Sequence, residues 1–218
     1  MGMEINLLSK YPVSKRDIKS RSLKTKEDQI IATQYGYDYF DGDRKYGYGG
    51  YHYHSKYWNN VVIDFMDYFG LNSSSSLLDI GCAKGFMLYE LSKLIPGISL
   101  KGIDISEYAI ENAPPEIKSN ISLANALSIP YPENHFDVVI SINTLHNLEI
   151  DDCAKALHEI ERVCKGNSFI TVDAYRTEEE KHNMLDWNLT AKTIMHVDEW
   201  KYFFNDVGYT GDFYWFIP

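Results

Sequence analysis

The fold of this chain is decided by the stretch LLDIGCAKGF, residues 77–86, which reads as a short buried strand, a glycine-bounded turn and the start of a helix. Asp79 places one carboxylate at the end of that strand. A second acid, Asp104, stands at the end of the next apolar run, residues 100–105. The spacing is close to the roughly 20 residues expected of a ribose-binding acid in an open α/β sheet. Together the two signals predict a nucleoside-cofactor site.

Strand-like and helix-like runs alternate from residue 77 onward, which is typical of right-handed βαβ crossovers and a largely parallel sheet. Helical spacing marks residues 87–95, 157–164 and 198–208, and an earlier helical run, 61–69, ends before a glycine. The predicted strands lie near residues 77–80, 100–104, 121–124, 136–141, 168–174 and 212–217. We therefore expect an α/β fold with a mostly parallel twisted sheet flanked by helices.

Length and charge indicate one domain that does not bind a polyanion. The chain has 218 residues, of which 44% are hydrophobic, enough for one sizeable core. Its formal net charge of -10 would repel nucleic acid unless a concentrated basic face overcame that field. The candidate face is the amino-terminal basic stretch, for which a solvated helix or a mobile arm is the alternative interpretation. Its residues are Lys10, Lys15, Arg16, Lys19, Arg21, Lys24 and Lys26.

The cysteine content indicates a reducing compartment. Cys82, Cys153 and Cys164 are odd in number and lack metal-ligand spacing, so we expect neither a disulfide framework nor a zinc site. No other acid or histidine cluster suggests a metal. The chain begins without an apolar leader, and no run approaches the roughly 18 apolar residues that span a bilayer. These patterns predict a cytoplasmic protein with no metal and no membrane partner.

The glycine turn, residues 81–85, suits close contact with a ligand. Gly81 and Gly85 permit positive φ, and the amides at the start of the following helix point into the same crevice. A dinucleotide fingerprint would read G-x-G-x-x-G, but Ala83 stands where a middle glycine is often found. An NAD-dependent oxidoreductase is therefore disfavoured. Tight strand-to-helix packing is the alternative explanation of the turn, and the presence of Asp104 weakens it.

A segment dense in tyrosine and glycine, residues 35–57, precedes the core. Aromatic faces can hold a cation, phenol hydroxyls can position polar substrates, and the glycines allow a lid to close. We expect residues 1–70 to form a helical and Tyr-Gly-rich lid extension and residues 71–218 to form the core. Alternatively, the rings fill the gap between an amino-terminal helix and the sheet. The substrate-binding candidates are Tyr46, Tyr48, Tyr51 and Tyr57, with His52 as a catalytic candidate.

Four segments of the core resemble the successive motifs of class I S-adenosylmethionine-dependent methyltransferases. They are residues 77–91, GIDIS at 102–106, NALSIP at 125–130 and FDVVIS at 136–141, and the resemblance spans about residues 75–175. It implies the Rossmann-like fold of that family. It also implies S-adenosyl-L-methionine as the cofactor and S-adenosyl-L-homocysteine as the product.

The resemblance assigns the methionine side of the cofactor to the glycine turn and its strand. Asp79, Gly81, Cys82 and Gly85 would form this part of the site. Asn143 begins a segment that, in these methyltransferases, passes beside the sulfonium. That segment follows the fourth strand, at the carboxyl edge where open α/β sheets place their ligands.

The resemblance also assigns the adenosine side. Asp104 would accept hydrogen bonds from both ribose hydroxyls, and Ile105 would pack on the adenine. Asn125 and Ala126 would lie at the edge of the adenine ring. The family often has an acid where Asn125 stands, but an asparagine oxygen can accept the same hydrogen bond.

Three further residues are candidates for contact with the acceptor. His146 follows the fourth strand and has the pKa range to take a proton as general base, with a packing or hydrogen-bonding histidine as the alternative. Tyr175 and Arg176 follow the fifth strand and would line the same mouth. Arg176 would suit a carboxylate or phosphate on the acceptor, with an ordinary surface arginine as the alternative.

The activity implied is direct methyl transfer to an oxygen, nitrogen or carbon nucleophile. We expect a small polar metabolite as acceptor, such as a sugar, an amino-acid derivative or a phosphorylated intermediate, because the net charge opposes polyanions. A non-catalytic S-adenosylmethionine sensor or assembly partner is the alternative.

One departure from the family concerns the end of the sheet. Only one strand follows the last helix, so the edge is truncated or residues 189–195 supply a short extra strand. An exposed edge, or the aromatic run at residues 213–216, would favour a homodimer over a monomer.

Overall fold

A computed structural model describes residues 2–12 and 16–218, so Lys15 of the basic stretch lies outside the described residues. The strands are β1 (Ser76–Ile80), β2 (Ser99–Asp104), β3 (Ile121–Leu123), β4 (Phe136–Ile142), β5 (Cys164–Tyr175), β6 (Met195–His196) and β7 (Asp212–Phe216). The helices are α1 (Ile18–Ser22), α2 (Lys26–Ala32), α3 (Tyr37–Phe40), α4 (Ser55–Phe69), α5 (Phe86–Leu94), α6 (Glu107–Glu111), α7 (Pro115–Lys118), α8 (Ile150–Val163), α9 (Glu178–Trp187) and α10 (Val197–Asp206), with a 3₁₀ turn at Leu145–Asn147.

The strands form a parallel sheet in the order β3-β2-β1-β4-β5, and both β6 and β7 pair with the far side of β5. Asp79 of β1 lies opposite Gly102 of β2 and Ile140 of β4, so the carboxyl ends of the central strands meet at one edge. The Rossmann-like α/β fold is confirmed. Each strand predicted from the sequence is present, and β5 begins earlier than expected.

The last edge of the sheet is covered by the beginning of the chain. Glu4 forms a parallel bridge to Phe213 of β7, with hydrogen bonds of 3.0 Å from Ile5 N to Phe213 O and from Phe213 N to Met3 O. The extra strand considered for residues 189–195 does not form over that range: residues 189–194 are not a strand, and the two-residue β6, which runs parallel to β5, begins at Met195. The open edge expected from a truncated sheet is therefore occupied along this part of β7 by an amino-terminal segment.

Apolar side chains on the two faces of the sheet pack against two sets of helices. Leu78 of β1 packs with α8 and α10, while Leu77, its neighbour, packs with α4 and α5. This alternation follows from the two-residue period of a strand. The core on both faces fixes the position of the carboxyl edge.

Helix α9 was not predicted, and the helical extension expected of residues 1–70 had no bounds for α1 and α2, because the apolar periodicity of all three helices is weak. In α9 the buried side chain is Met184, and the first turn carries three glutamates after the capping residue Thr177. In α2 a capping box between Thr25 and Asp28 marks the start. Within the part of the chain that the structure describes, no helix is both long enough and apolar enough to cross a membrane.

Candidate functional site

The glycine turn joins β1 to α5 and packs tightly against neighbouring elements. Gly81 and Gly85 have φ of +75° and +70°, a region that glycine adopts without strain. A Cβ on Gly81 would lie 2.2 Å from Thr144 Oγ1, and a Cβ on Gly85 would lie 2.5 Å from Ile121 Cδ1. Positive φ at both positions, with close packing against Thr144 at Gly81, therefore favours glycine before any ligand is considered.

Asp104, at the end of β2, ties the glycine turn to its neighbouring strand. Its Oδ2 accepts a hydrogen bond from Ala83 N at 2.7 Å, and its Oδ1 accepts one from Ser106 N at 2.8 Å. Burial raises the pKa of Asp104, although the amides of Ser106 and Ala83 oppose the rise. Each carboxylate oxygen has a second acceptor position, so the group can still receive hydrogen bonds from two ligand hydroxyls.

Asp79 is a buried carboxyl group that has no hydrogen bond to any residue the structure describes, and only 5% of the residue is exposed. Burial raises the pKa of Asp79 to about 8, and the nearby Asp104 carboxylate contributes to the rise. A cationic ligand group beside Asp79 would favour its charged form. The α-ammonium group of a methionine moiety has that charge.

The adenosine-side candidates differ in how accessible they are. Ile105 is 56% exposed and offers an apolar surface directly after Asp104. Asn125 is exposed, and its Oδ1 accepts a hydrogen bond from Leu127 N at 3.0 Å. The Ala126 methyl group packs in the core, so its contribution to a ligand would come from the main chain.

Cys82 lies within the glycine turn, and Asn143 directly follows β4. Cys82 is buried, and burial raises the pKa of its thiol well above the usual value, so the thiol packs against Gly102 as a neutral group. Asn143 is exposed at the end of β4 with φ of +53°, and Thr171 Oγ1 donates to its Oδ1 at 2.8 Å. Thr171 therefore holds Asn143 at the carboxyl edge.

His146 is buried, and its ring is hydrogen-bonded to the backbone of β5. Its Nδ1 accepts a hydrogen bond from Asp173 N at 2.9 Å, and burial lowers its pKa to about 3. In this arrangement Nδ1 is an acceptor and Nε2 carries the proton, so the ring has no free nitrogen with which to take a proton. The geometry favours the hydrogen-bonding role considered as the alternative. His52, the other catalytic candidate, is exposed on the tyrosine-rich segment.

Asp173, near the end of β5, is a candidate site residue that sequence reasoning missed. It is buried, and burial raises the pKa of its carboxyl group to about 8, with Arg16 opposing the rise. Its Oδ1 lies 3.4 Å from His146 Nδ1. An acid inside the apolar run that forms β5 was the signal available in the sequence, because burying a carboxyl group is unfavourable without a functional reason.

A buried ion pair fastens the tyrosine-rich segment (residues 35–57) to the glycine turn. Lys84 Nζ lies 2.6 Å from Asp41 Oδ2 and 2.9 Å from Tyr51 O. Asp41 also accepts hydrogen bonds from Tyr108 Oη at 2.6 Å and from Tyr51 N at 2.9 Å. Sequence reasoning missed this pair because its members are far apart in the chain, although a lysine inside a glycine turn is unusual for a buried position.

The four tyrosine candidates fall into two groups. The Tyr51 ring lies 4.9 Å from Phe86, the first residue of α5, and 4.4 Å from Tyr48. Tyr48 interacts electrostatically with both Asp104 and Asp173, although 45% of the residue is exposed. Tyr51 and Tyr48 are therefore the two candidates that lie next to the start of α5. The other two contact different side chains: Tyr46 lies 4.4 Å from Lys45 Nζ, and Tyr57 packs 5.4 Å from Tyr11.

Tyr175 and Arg176 lie beyond the end of β5, towards β6 and the amino-terminal segment. The Tyr175 ring lies 5.6 Å from His196, and the exposed Arg176 guanidinium pairs with Glu4 at 3.4 Å. Because Glu4 already neutralises Arg176, this arginine is poorly suited to bind an anionic acceptor.

The fold brings the carboxylates of β1 and β2, the glycine turn and Asn143 to one edge of a parallel sheet. This arrangement defines a nucleoside-binding α/β domain. Comparison with known families is more specific: a family model described as "Methyltransferase domain" matches residues 71–208. The chain belongs to this methyltransferase family. The methyl donor of the class is S-adenosylmethionine, which leaves as S-adenosylhomocysteine.

Individual relatives are similar over part of their length. The tRNA (carboxymethyluridine(34)-5-O)-methyltransferase of Arabidopsis thaliana is 34% identical over 132 residues, which cover 60% of this chain and 31% of that protein. The mitochondrial arginine-hydroxylase NDUFAF5 of Rattus norvegicus is 37% identical over 92 residues, covering 40% and 25%. A SAM-dependent methyltransferase from Aquifex aeolicus shares the fold, with a TM-score of 0.50, 22% identity and coverage of 67% and 78%. The chain spans less than a third of the length of the two relatives compared by sequence.

Proposed function

We propose that this protein transfers the methyl group of S-adenosylmethionine to an oxygen, nitrogen or carbon atom of a small polar metabolite, such as a sugar, an amino-acid derivative or a phosphorylated intermediate. The observation that supports this most strongly is the Asp104 carboxylate at the end of β2, which joins the glycine turn to the start of α6 near the buried Asp79. Family membership supplies the donor.

A small acceptor is favoured by the covered shape of the site and by its charge. The pair between Lys84 and Asp41 holds the tyrosine-rich segment against the start of α5, which limits access for a large substrate. The net charge of -10 opposes binding of a polyanion. The names of the relatives indicate different substrates and do not identify the acceptor of this chain.

The cofactor supplies an activated methyl group, and the chain contributes binding, orientation and proton acceptance. Asp104 is positioned for the ribose hydroxyls and Asp79 for the ammonium group. Tyr51, which packs on Phe86 and Tyr48, would limit the access of water to the acceptor. Asp173 replaces His146 as the group proposed to take the acceptor's proton, because it lies near the carboxyl end of β5 and its carboxyl oxygens accept no hydrogen bond from the described residues, whereas His146 Nδ1 is already an acceptor. Its raised pKa is suited to proton transfer near neutral pH.

The role of Asp173 predicts a specific change in the pH dependence of methyl transfer. Asp173→Asn keeps the main-chain hydrogen bonds to His146 and Trp200, so the fold should be retained. We expect it to lower kcat by roughly 10²-fold or more for an oxygen acceptor and to remove the rise in rate with pH around 8. Equal pH profiles in the variant and the wild type would remove Asp173 from the proton transfer.

Methyl transfer itself is tested in two steps. Calorimetry with S-adenosylhomocysteine first establishes binding, and radiolabelled S-adenosylmethionine is then incubated with fractionated metabolite extract and with total RNA. We expect label in a small-molecule fraction. Binding without transfer to any fraction would favour the sensor or assembly partner, and label in RNA would contradict the small-metabolite proposal.

The organisation of the protein is proposed on the same basis. We infer that residues 1–70 act as the lid extension of a catalytic core at residues 71–218. We also propose that the protein works in the cytoplasm as a monomer or homodimer. Limited proteolysis with and without S-adenosylhomocysteine tests the division, since the extension should become more protected when the cofactor product binds.

A further inference from the structure

Three arginines of the amino-terminal extension surround one tryptophan near the carboxyl edge. The guanidinium carbons of Arg16, Arg21 and Arg44 lie 5.7, 5.2 and 5.6 Å from the centre of the Trp187 ring, at the end of α9. Cation–π contact orients guanidinium groups, but it does not neutralise their charge. We call these three residues the arginine cluster.

The arginine cluster lines a cavity of about 630 Å³ together with Lys24 and Lys45. The cavity also has three acidic side chains, and each has a contact of its own. Asp28 lies 3.8 Å from Lys45 Nζ, Asp43 accepts a hydrogen bond from Lys45 N, and Asp17 accepts hydrogen bonds from Ser20. The cavity is therefore rich in positive charge within a strongly acidic protein.

The hydrogen bonds of the arginine cluster within the described residues go to main-chain oxygens rather than to carboxylates. Arg21 donates to the carbonyl oxygens of Lys45 and Gly47, and Arg44 also donates to Gly47 O. Between residues 2–12 and 16–218, none of the three guanidinium groups forms an ion pair. Burial lowers the pKa of both Arg16 and Arg21, and repulsion from Arg44 lowers each further. Partly buried like charges of this kind are stabilised by a bound anion.

The arginine cluster adjoins the proposed site of methyl transfer. The Arg16 guanidinium lies 4.5 Å from the ring of Phe216, and Phe216 pairs in register with Asp173 of β5. Arg16 also interacts electrostatically with Asp173, and Arg44 does so with Tyr48. An anion bound by the cluster would therefore have the rest of its molecule within reach of Asp173 and Tyr48.

We propose that the arginine cluster binds a carboxylate or phosphate group of the methyl acceptor. This inference rests on the proposed function and narrows its acceptor to an anionic metabolite. Guanidinium groups bind both kinds of anion through paired, charge-assisted hydrogen bonds. The sequence suggested that Arg176 binds the anion of the acceptor, but Arg176 forms an ion pair with Glu4. The guanidinium of Arg16, in contrast, donates no hydrogen bond to any residue the structure describes.

A small anion is a better match than a nucleic acid because the three arginines of the cluster converge on one cavity. Contact with a nucleic acid extends along a strand and needs a stripe of basic residues. Here the cluster is partly buried, Arg21 being only 8% exposed, and it lies within a chain of net charge -10. RNA is therefore the contrary outcome of the test.

Arg16 is the residue to change, because no hydrogen bond joins its guanidinium to the described parts of the protein. The matched control is Lys19→Gln, which removes one charge from the neighbouring helix α1 at an exposed position that does not line the cavity. Arg16→Lys keeps the charge and removes the planar fork. Calorimetry would use inorganic pyrophosphate and glutarate as probes, with a short single-stranded RNA for comparison.

We expect Arg16→Gln to weaken binding of at least one probe by roughly tenfold, Arg16→Lys to have an intermediate effect, and Lys19→Gln to change binding by less than about twofold. Preference for pyrophosphate or glutarate would identify the anion as phosphate or carboxylate. The proposal is overturned if the wild type binds neither probe, if Arg16→Gln and Lys19→Gln have equal effects, or if RNA binds more tightly through Arg16.

A parallel titration with S-adenosylhomocysteine separates this inference from the proposed function. We expect Arg16→Gln to bind the cofactor product as the wild type does, which also shows that the variant is folded. Loss of anion binding with retained cofactor binding supports the anion site alone. Absence of cofactor binding in the wild type would instead remove the methyltransferase proposal.

Discussion

The Asp104 carboxylate has a structural task in the free protein and a proposed binding task with the cofactor. Its two oxygens accept hydrogen bonds from Ala83 N and Ser106 N. The turn after β1 and the start of α6 are therefore fixed before any ligand binds. The same group has acceptor positions left for ribose hydroxyls. Because the carboxylate is already oriented, the ribose would bind without rearrangement of the turn.

Replacing Asp104 should weaken cofactor binding. We expect Asp104→Ala to reduce affinity for S-adenosylhomocysteine by about 1–3 kcal/mol, the usual consequence of leaving buried hydroxyl donors without an acceptor. Isothermal titration calorimetry measures the change, and Glu107→Ala, an exposed acid on α6, is the control. Unchanged affinity in Asp104→Ala would remove this residue from the site.

The sequence singles out candidate site residues that depend on local order and misses candidates that depend on distant contacts. Asp79, Gly81 and Gly85 are recognisable as candidates because a strand, a turn and a helix follow one another within ten residues of chain. Asp173 and Lys84 were missed, since their importance comes from burial and from partners in other elements. His146 was recognised as a candidate, but only its contact with β5 reveals which role its ring is suited to.

At the scale of elements, the tyrosine-rich segment depends on one buried ion pair. Only 4% of the Lys84 side chain and 12% of the Asp41 side chain are exposed. Burial by itself would raise the pKa of Asp41, but hydrogen bonds from Lys84, Tyr108 and Tyr51 N outweigh it and lower the pKa. Ring contacts between Tyr51 and Phe86 then seat the segment on α5.

Removing the Asp41 charge should destabilise the protein in a pH-dependent way. We expect Asp41→Asn to lower the free energy of unfolding by about 3–5 kcal/mol near neutral pH, because Lys84 is left buried without a counter-charge. A lowered pKa stabilises the fold above the unfolded-state value of about 4, and this contribution is lost as pH falls through the folded-state value.

Urea unfolding at several pH values measures this effect, with Asp38→Asn, an exposed acid on α3, as the control. The difference between wild type and Asp41→Asn should shrink in acid. An equal difference at all pH values, or no difference at neutral pH, would contradict the role assigned to the ion pair.

The sequence predicted the strands more completely than the helices. The central strands are buried on both faces and appear as continuous apolar runs, which single them out. Helix α9 buries mainly Met184, and α1 buries the arginine Arg21, so neither shows an apolar face in the sequence. The positions of these helices depend on contacts between α1 and α9 and between α9 and β5. No local sequence pattern reports such contacts.

At the scale of the whole molecule, the first residues complete the sheet. The segment around Glu4 pairs with β7, and Glu4 also forms ion pairs with Arg176 and Lys201, the latter at 2.8 Å. Unpaired edge strands promote association between copies of a chain. This pairing favours the monomer of the two oligomeric states considered from the sequence.

Deleting residues 1–5 should expose part of the β7 edge. We expect a loss of about 2 kcal/mol in the free energy of unfolding, about 1 kcal/mol for each of the two lost main-chain hydrogen bonds, and self-association in size-exclusion chromatography with light scattering. Glu4→Ala is the control, because it keeps the main-chain pairing and removes the ion pairs. A truncated protein that elutes and unfolds like the full chain would contradict this role.

The binding of the cofactor product is the most direct test of the central claim, that the carboxyl edge around Asp79 and Asp104 is an S-adenosylmethionine site. Purified protein is titrated with S-adenosylhomocysteine by calorimetry near neutral pH, and thermal unfolding is followed in parallel. We predict saturable binding of one molecule per chain and a raised unfolding midpoint. Neither heat of binding nor thermal protection would contradict the claim.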